Sequence, residues 1–275
     1  MASELIWGKG KHLKSFWEKI SGKGVNNTNS TENGKKYLDR IDDIKENFSK
    51  IFGKDFTKDE ANELALKYKE IFETEDSVNF FEKIFAQIQK DYNLPNVGGI
   101  FEEMEPGEFA GWNMFTGLSY NLKQTKRNAE GKIVEILNKH KMVNYITHEL
   151  KHATQDKLAN QVDIHKNIRA RIDCEQKHNT ELWQENLRKY GTNIEETKEK
   201  MADEWYEWVL PSFKNLEKIP EDSPLYQKGL EYIEGHRNYI RHQDDVNGYR
   251  NQLVEKEAFD AGYRMEEIYH WLTNK

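Results

Sequence analysis

Cysteine is nearly missing from this chain: Cys174 is the single one in 275 residues. That excludes an intramolecular disulfide framework and leaves a buried structural thiol as the expected state of Cys174. Long apolar runs are missing too. None approaches the roughly 18 residues that a membrane-spanning helix needs, so no transmembrane segment is expected. The N-terminus has neither an apolar signal core nor a small-residue cleavage site. A classical secretory signal is therefore not expected, and the chain should be cytoplasmic as synthesised, with a non-classical or effector delivery route as the way out of the cell. A surplus of positive charge is also missing. The net charge of −7 disfavours general nucleic-acid binding, because neutralising phosphates requires a basic surface.

What is present suits a helix-rich soluble protein: 32% of residues are charged, yet 12% are aromatic, so a few large apolar side chains do most of the packing. Residues 1–35 read as a basic tail and linker. Lys9, Lys11, Lys14, Lys19 and Lys23 surround Trp7, Leu13, Phe16, Trp17 and Ile20, a pattern that suits contact with a membrane or partner, and a Gly/Asn-rich stretch follows at 21–35. Residues 36–95 predict a short helical bundle. Ile41, Ile44, Phe48 and Ile51 recur at helical spacing, Thr57 is placed to cap a second helix carrying Leu64, Leu66, Tyr68, Ile71 and Phe72, and Ser77 opens a third with Phe80, Phe81, Ile84, Phe85 and Ile88. Residues 96–275 predict the main domain. Leu118, Tyr120 and Leu122 alternate with polar residues, Ile133–Leu137 form a second strand-like run, and Asn128–Gly131 is the turn of the hairpin so implied. Helical patterns follow at 142–189, 193–210, 224–243 and 252–273, with Gly191, Pro211, Pro220, Pro224 and Gly248 between them.

Inside the first of these helices lies His148-Glu149-Leu150-Lys151-His152, an H-E-x-x-H pattern. Positions i and i+4 share a helix face, so both imidazoles can reach one metal ion, and the intervening Glu149 can take a proton from water on that ion. Met142, Ile146, Leu150 and Ala153 form an adjacent apolar stripe that would anchor the helix in the core. A catalytic zinc generally takes three protein ligands. The longer spacing that would supply a third histidine is not met, because Gln155 and Leu158 occupy the positions concerned. The segment Glu255-Lys-Glu257-Ala258-Phe259-Asp260-Ala261-Gly262 is the strongest acidic candidate, since its small residues let another helix approach closely.

These two segments resemble the zincin metallopeptidases of the gluzincin group. The resemblance covers about residues 109–155 and 249–265 and leaves the helical stretch between them unmatched. It implies a mainly α (α+β) fold: a zincin-like catalytic domain with a small hairpin or sheet and a long helical insertion, preceded by the short bundle. It implies zinc held by His148, His152 and Glu255, since Glu255 opens the E-x-x-A pattern and Gly262 lies at +7. Some relatives carry an Asp four residues after the ligand Glu; here that position is Phe259, with Asp260 one residue late. The residue that would orient a ligand histidine is thus unassigned and Glu257 stays open as the alternative ligand. Glu255 and Glu257 lie about 200° apart on a helix, so one of them at most can face the metal. Tyr249 ranks first and His242 second as donors to the oxyanion, with His236 and Arg250 also preceding the Glu255 helix. An edge strand from the hairpin at 112–137 would bind an extended peptide.

The resulting expectation is a zinc-dependent endopeptidase cutting a protein or peptide substrate through a zinc-bound water activated by Glu149. The absent signal and the linker would suit a delivered effector or toxin domain, and equally a phage or housekeeping enzyme. The alternative is a catalytically inactive zincin-fold binding or structural protein; an intact His148, Glu149 and His152 argue against it.

Overall fold

The computed structural model describes residues 38–94, 97–104, 109–191, 193–209, 213 and 216–273. The basic tail and linker expected at 1–35 lie outside these residues. The chain is mainly helical with a small sheet, and residues 40–275 form one compact unit.

Among the described residues three α-helices come first: α1 (Ile41–Phe52), α2 (Lys58–Phe72) and α3 (Ser77–Asp91). Thr57 caps α2 as expected: its hydroxyl accepts the Glu60 N–H and the Glu60 carboxylate accepts the Thr57 N–H. α3 begins at Ser77 as expected, with Asp76 as its cap, and the Ser77 hydroxyl accepts the backbone N–H of Ile136. Ile44, Phe48, Ile51, Leu64, Tyr68, Phe80, Phe81, Ile84 and Ile88 are buried, whereas Leu66, counted in the same apolar pattern, is 48% exposed. α1 and α2 pack against the last helix of the chain, so the boundary expected near residue 95 runs through the compact unit.

The strands are β1 (Gly99–Glu102), β2 (Ala110–Asn113), β3 (Gly117–Asn121), β4 (Thr125–Arg127) and β5 (Ile133–Ile136). The turn at Asn128–Gly131 forms, with Gly131 at positive φ, but the hairpin it closes joins β4 to β5. The run Leu118–Leu122 does not pair with Ile133–Leu137, as the alternation had suggested. β3 is instead the centre of a three-stranded sheet, parallel to β1 and antiparallel to β2, and all five of its residues are buried. A strand covered on both faces suits a sheet lying between layers. Gly117 is needed at its start: φ is +92°, and a Cβ there would sit 2.3 Å from the Gly98 carbonyl oxygen.

The rest is helical: α4 (Lys139–His178), α5 (Thr180–Tyr190), α6 (Ile194–Trp208), α7 (Pro224–Arg237), α8 (Val246–Asn251) and α9 (Leu253–Thr273). α4 breaks at Asp163, where the backbone turns extended and the Asp163 carboxylate caps the new helix by accepting the Lys166 N–H. Its second half folds back along the first, since Asn167 bonds Asn160 and Arg171 bonds Asp156. α9 crosses the first half tightly. A Cβ on Gly262 would lie 2.9 Å from the Asn144 backbone oxygen, so only glycine allows this approach.

Candidate metal centre

The expected core stripe holds: Met142, Ile146, Leu150 and Ala153 are fully buried, and this anchors the neighbouring face of α4. On that face His148 and His152 point their Nε2 atoms at each other, 3.2 Å apart. Glu255, near the start of α9, completes the group. Its Oε2 lies 3.3 Å from His148 Nε2 and its Oε1 3.3 Å from His152 Nε2. The three donors come from two helices and mutually lie within 4.8 Å, close enough to share one ion. Glu257 does not join them. It turns toward α7, accepting a hydrogen bond from the Tyr232 hydroxyl and pairing with Lys228 at 2.7 Å.

A metal fits these donors on three counts. Glu255 is 1% exposed, and its Oε2 has no hydrogen-bond partner among the described residues. Such a buried orphan oxygen costs stability unless something bonds it. Next, Gln155 fixes the tautomer of His152. The Gln155 amide N–H donates to the Val254 carbonyl at 2.9 Å, so its Oε1 faces His152 Nδ1 at 2.8 Å and accepts the proton there. Nε2 is thereby the ring nitrogen that faces the shared point, where a metal would displace its proton, the other nitrogen being held as in metal-bound histidines generally. Finally, two imidazoles and a carboxylate are a donor set that suits zinc, although the group fixes a site and not the identity of its ion. The local field favours a cation. Burial opposes charge on His152, yet Glu255 and then Glu149 outweigh it and hold the ring at about 9. Burial likewise opposes ionisation of Glu255, and His152 and His148 overcome it, holding the carboxyl far below its usual range.

Phe259 packs edge-on against His148 with ring centroids 4.6 Å apart. Ring packing thus holds one histidine and an amide holds the other. Asp260 plays no part, since it pairs with Arg264 at 2.7 Å near the surface.

The donors open into a cavity of about 320 Å³ whose lining includes Glu149, Trp112, Tyr239 and Tyr249. Glu149 is 9% exposed and 3.9 Å from His148 Nε2; it also accepts the backbone N–H of Trp112. Burial raises its pKa, with the two histidines opposing. The Tyr239 hydroxyl donates to Glu255 Oε1 at 2.6 Å. Tyr249 stands beside it on α8, its hydroxyl pushed far up by burial and by the Glu255 charge. Tyr249 thus faces the cavity as expected. His242 does not: it is exposed, outside the cavity lining, and packs edge-on against Tyr249. Arg250 is also outside the lining, and His236 is inside it. Tyr239 and Gln155 were missed as functional residues: the i, i+3 spacing of His152 and Gln155 could have suggested the second, but Tyr239 lies in the loop after α7 and reaches Glu255 only through the fold. Cys174 is buried as expected, but it too lines the cavity.

The chain matches no protein-family profile, no curated protein and no solved structure, so the geometry of its own residues must carry any functional conclusion.

Proposed function

We propose that this chain is a zinc-dependent endopeptidase that hydrolyses peptide bonds in a protein substrate. The observation that supports it most is the convergence of His148, His152 and Glu255 on one point, with the buried carboxylate of Glu149 at its side. Zinc held there supplies Lewis-acid polarisation of a carbonyl and activation of water near neutral pH. With its carboxylate beside the three donors, Glu149 would act as the base that takes a proton and the acid that returns it to the leaving amine, and its raised pKa suits a group that must both accept and release. Tyr249 keeps its proton at neutral pH and can donate to the carbonyl oxygen as charge builds there, while Tyr239 holds Glu255 in place.

β2 supplies the binding edge. Asn121 N–H bonds the Phe109 carbonyl, which makes 109 and 121 a hydrogen-bonded pair; the antiparallel register then turns the backbone groups of residues 111 and 113 toward β3. Those of Ala110 and Trp112 face the other way, and both residues line the cavity. An extended peptide can add to this edge, and the Trp112 N–H already reaches Glu149.

The deciding experiment compares wild type and Glu149→Gln after zinc loading, using a denatured protein substrate and metal analysis. Zinc should stay near one per chain while cleavage falls by roughly 10²–10⁴-fold. Undiminished cleavage by Glu149→Gln, or no cleavage by zinc-loaded wild type, sinks the proposal.

A further inference from the structure

The cavity wall facing the metal donors comes from the second half of α4, where Arg171, Cys174 and Glu175 line the same space as His148, Glu149, His152 and Glu255. We infer that Arg171 is a substrate-binding residue recognising a carboxylate, either the C-terminus of a peptide or an acidic side chain, within this cavity. The inference rests on the peptidase reading for the class of molecule bound.

The bonding of Arg171 carries the argument. Asp156, fully buried, takes Nη2 with its Oδ1, while its Oδ2 accepts the Trp112 indole N–H at 2.7 Å. The only other polar contact described for Arg171 uses Nη2 again, 3.4 Å from His236 Nε2. Arg171 Nε is buried and has no partner among the described residues. A guanidinium offers five N–H donors in a rigid plane matched to a carboxylate, so one engaged nitrogen leaves most of that capacity unused. Asp156 engages Arg171 through Oδ1 alone, and the Arg171 side chain keeps 28% of its surface exposed.

The neighbouring cation differs. Arg241 also lines the cavity, but Glu175 engages it with both oxygens at 3.4 and 3.2 Å, and the His178 carbonyl accepts from it at 3.2 Å. Arg171 is therefore the lining cation with donors to spare. Its anchor is rigid as well: the Asp156–Trp112 bond ties it to β2, the strand proposed to carry the substrate backbone. A peptide laid on that edge would run past a fixed positive fork.

Three libraries of short, N-acetylated peptides test this. One ends in a free carboxylate and contains no Asp or Glu; one ends in an amide but contains them; one ends in an amide and lacks them. Binding is read with zinc-loaded Glu149→Gln protein, and cleavage rates with wild type. One of the first two libraries should bind about tenfold tighter than the neutral one, and which one it is identifies the source of the carboxylate. Arg171→Met should remove the preference, and Arg171→Lys should keep part of it. The double variant Arg171→Met with Asp156→Asn leaves no unpaired buried charge, and a circular dichroism spectrum checks its fold. Equal binding of all three libraries, or a preference that survives in the folded double variant, overturns the inference. If wild type cleaves nothing while the preference persists and depends on Arg171, the peptidase reading falls and the carboxylate site stands; cleavage without preference gives the reverse.

Discussion

Gln155 carries no charge, yet it decides which nitrogen of His152 faces the cavity. It is fully buried and bonded at both ends, to His152 Nδ1 and to the Val254 carbonyl. Replacing it by Leu keeps the volume but frees the imidazole to change tautomer and tilt. Outer partners of this kind are worth about 10–100-fold in metal affinity. Chelator competition should therefore show zinc held roughly that much more weakly by Gln155→Leu, with the far-ultraviolet spectrum unchanged; equal affinity would deny Gln155 the orienting role. Asp156, one residue on, makes a different prediction. Burial works against its charge, but Arg171, then His236 and the Trp112 indole, hold its pKa below the usual carboxylate value. A depressed folded pKa contributes stability that is complete above the unfolded value near 4 and is lost as pH falls through the folded one. Asp156→Asn should then lose about 1–3 kcal/mol at neutral pH, because Arg171 loses its charged partner while keeping access to the cavity. Its stability should also fall less steeply than that of wild type below about pH 4, as read by denaturant melts across pH. Parallel curves would argue against this assignment. The histidines and Glu149 could be read from their spacing alone, because i and i+4 fix a face. Tyr239 and Arg171 could not, since only the fold brings each to its partner, and the i, i+3 spacing of His152 and Gln155 does not by itself announce a bond.

At the scale of elements, the site is a crossing of two helices. Asn144 lies one turn before His148, and Gly262 two turns after Glu255; their contact sets the depth at which α9 sits on α4. The small residues of the last helix announced a close approach, and the choice of Glu255 over Glu257 follows from register, because the opposite face is claimed by Tyr232 and Lys228 on α7. Gly262→Ala puts a methyl group 2.9 Å from the Asn144 backbone oxygen, which cannot swing aside. We expect a loss of about 1–3 kcal/mol, and weaker zinc binding because Glu255 is lifted away with its helix. Calorimetry and zinc titration on the same sample check both, and a variant that matches wild type in each would remove the crossing as the determinant. Strand pairing was harder to read. Alternation marks a strand but not its partner, so Leu118–Leu122 looked like half of a hairpin, while β1 and β2, each four residues long, gave too short a signal to compete.

The whole molecule puts these parts under one constraint. His148 and Glu255 are separated by about a hundred positions, and between them run the folded-back half of α4 and helices α5 to α8. α9 also carries α1 and α2 on its other contacts, so the group at its start is coupled to packing far from the cavity. That coupling explains why the domain division expected near residue 95 was not visible as a break: apolar periodicity shows that a helix has a buried face, not which helix covers it. A cation that binds only when α4 and α9 are in place must stabilise the folded state by RT ln(1 + [L]/Kd), about 2.7 kcal/mol at a hundredfold excess over Kd. For a chain of this length that corresponds to a rise in Tm of roughly 5–10 °C. Zinc-loaded protein should melt that much higher than protein stripped with a chelator. The shift should vanish in Glu255→Ala and survive in Glu149→Gln, because the first removes a donor and the second leaves all three. A Tm indifferent to zinc in wild type would mean that the three side chains meet without serving an ion.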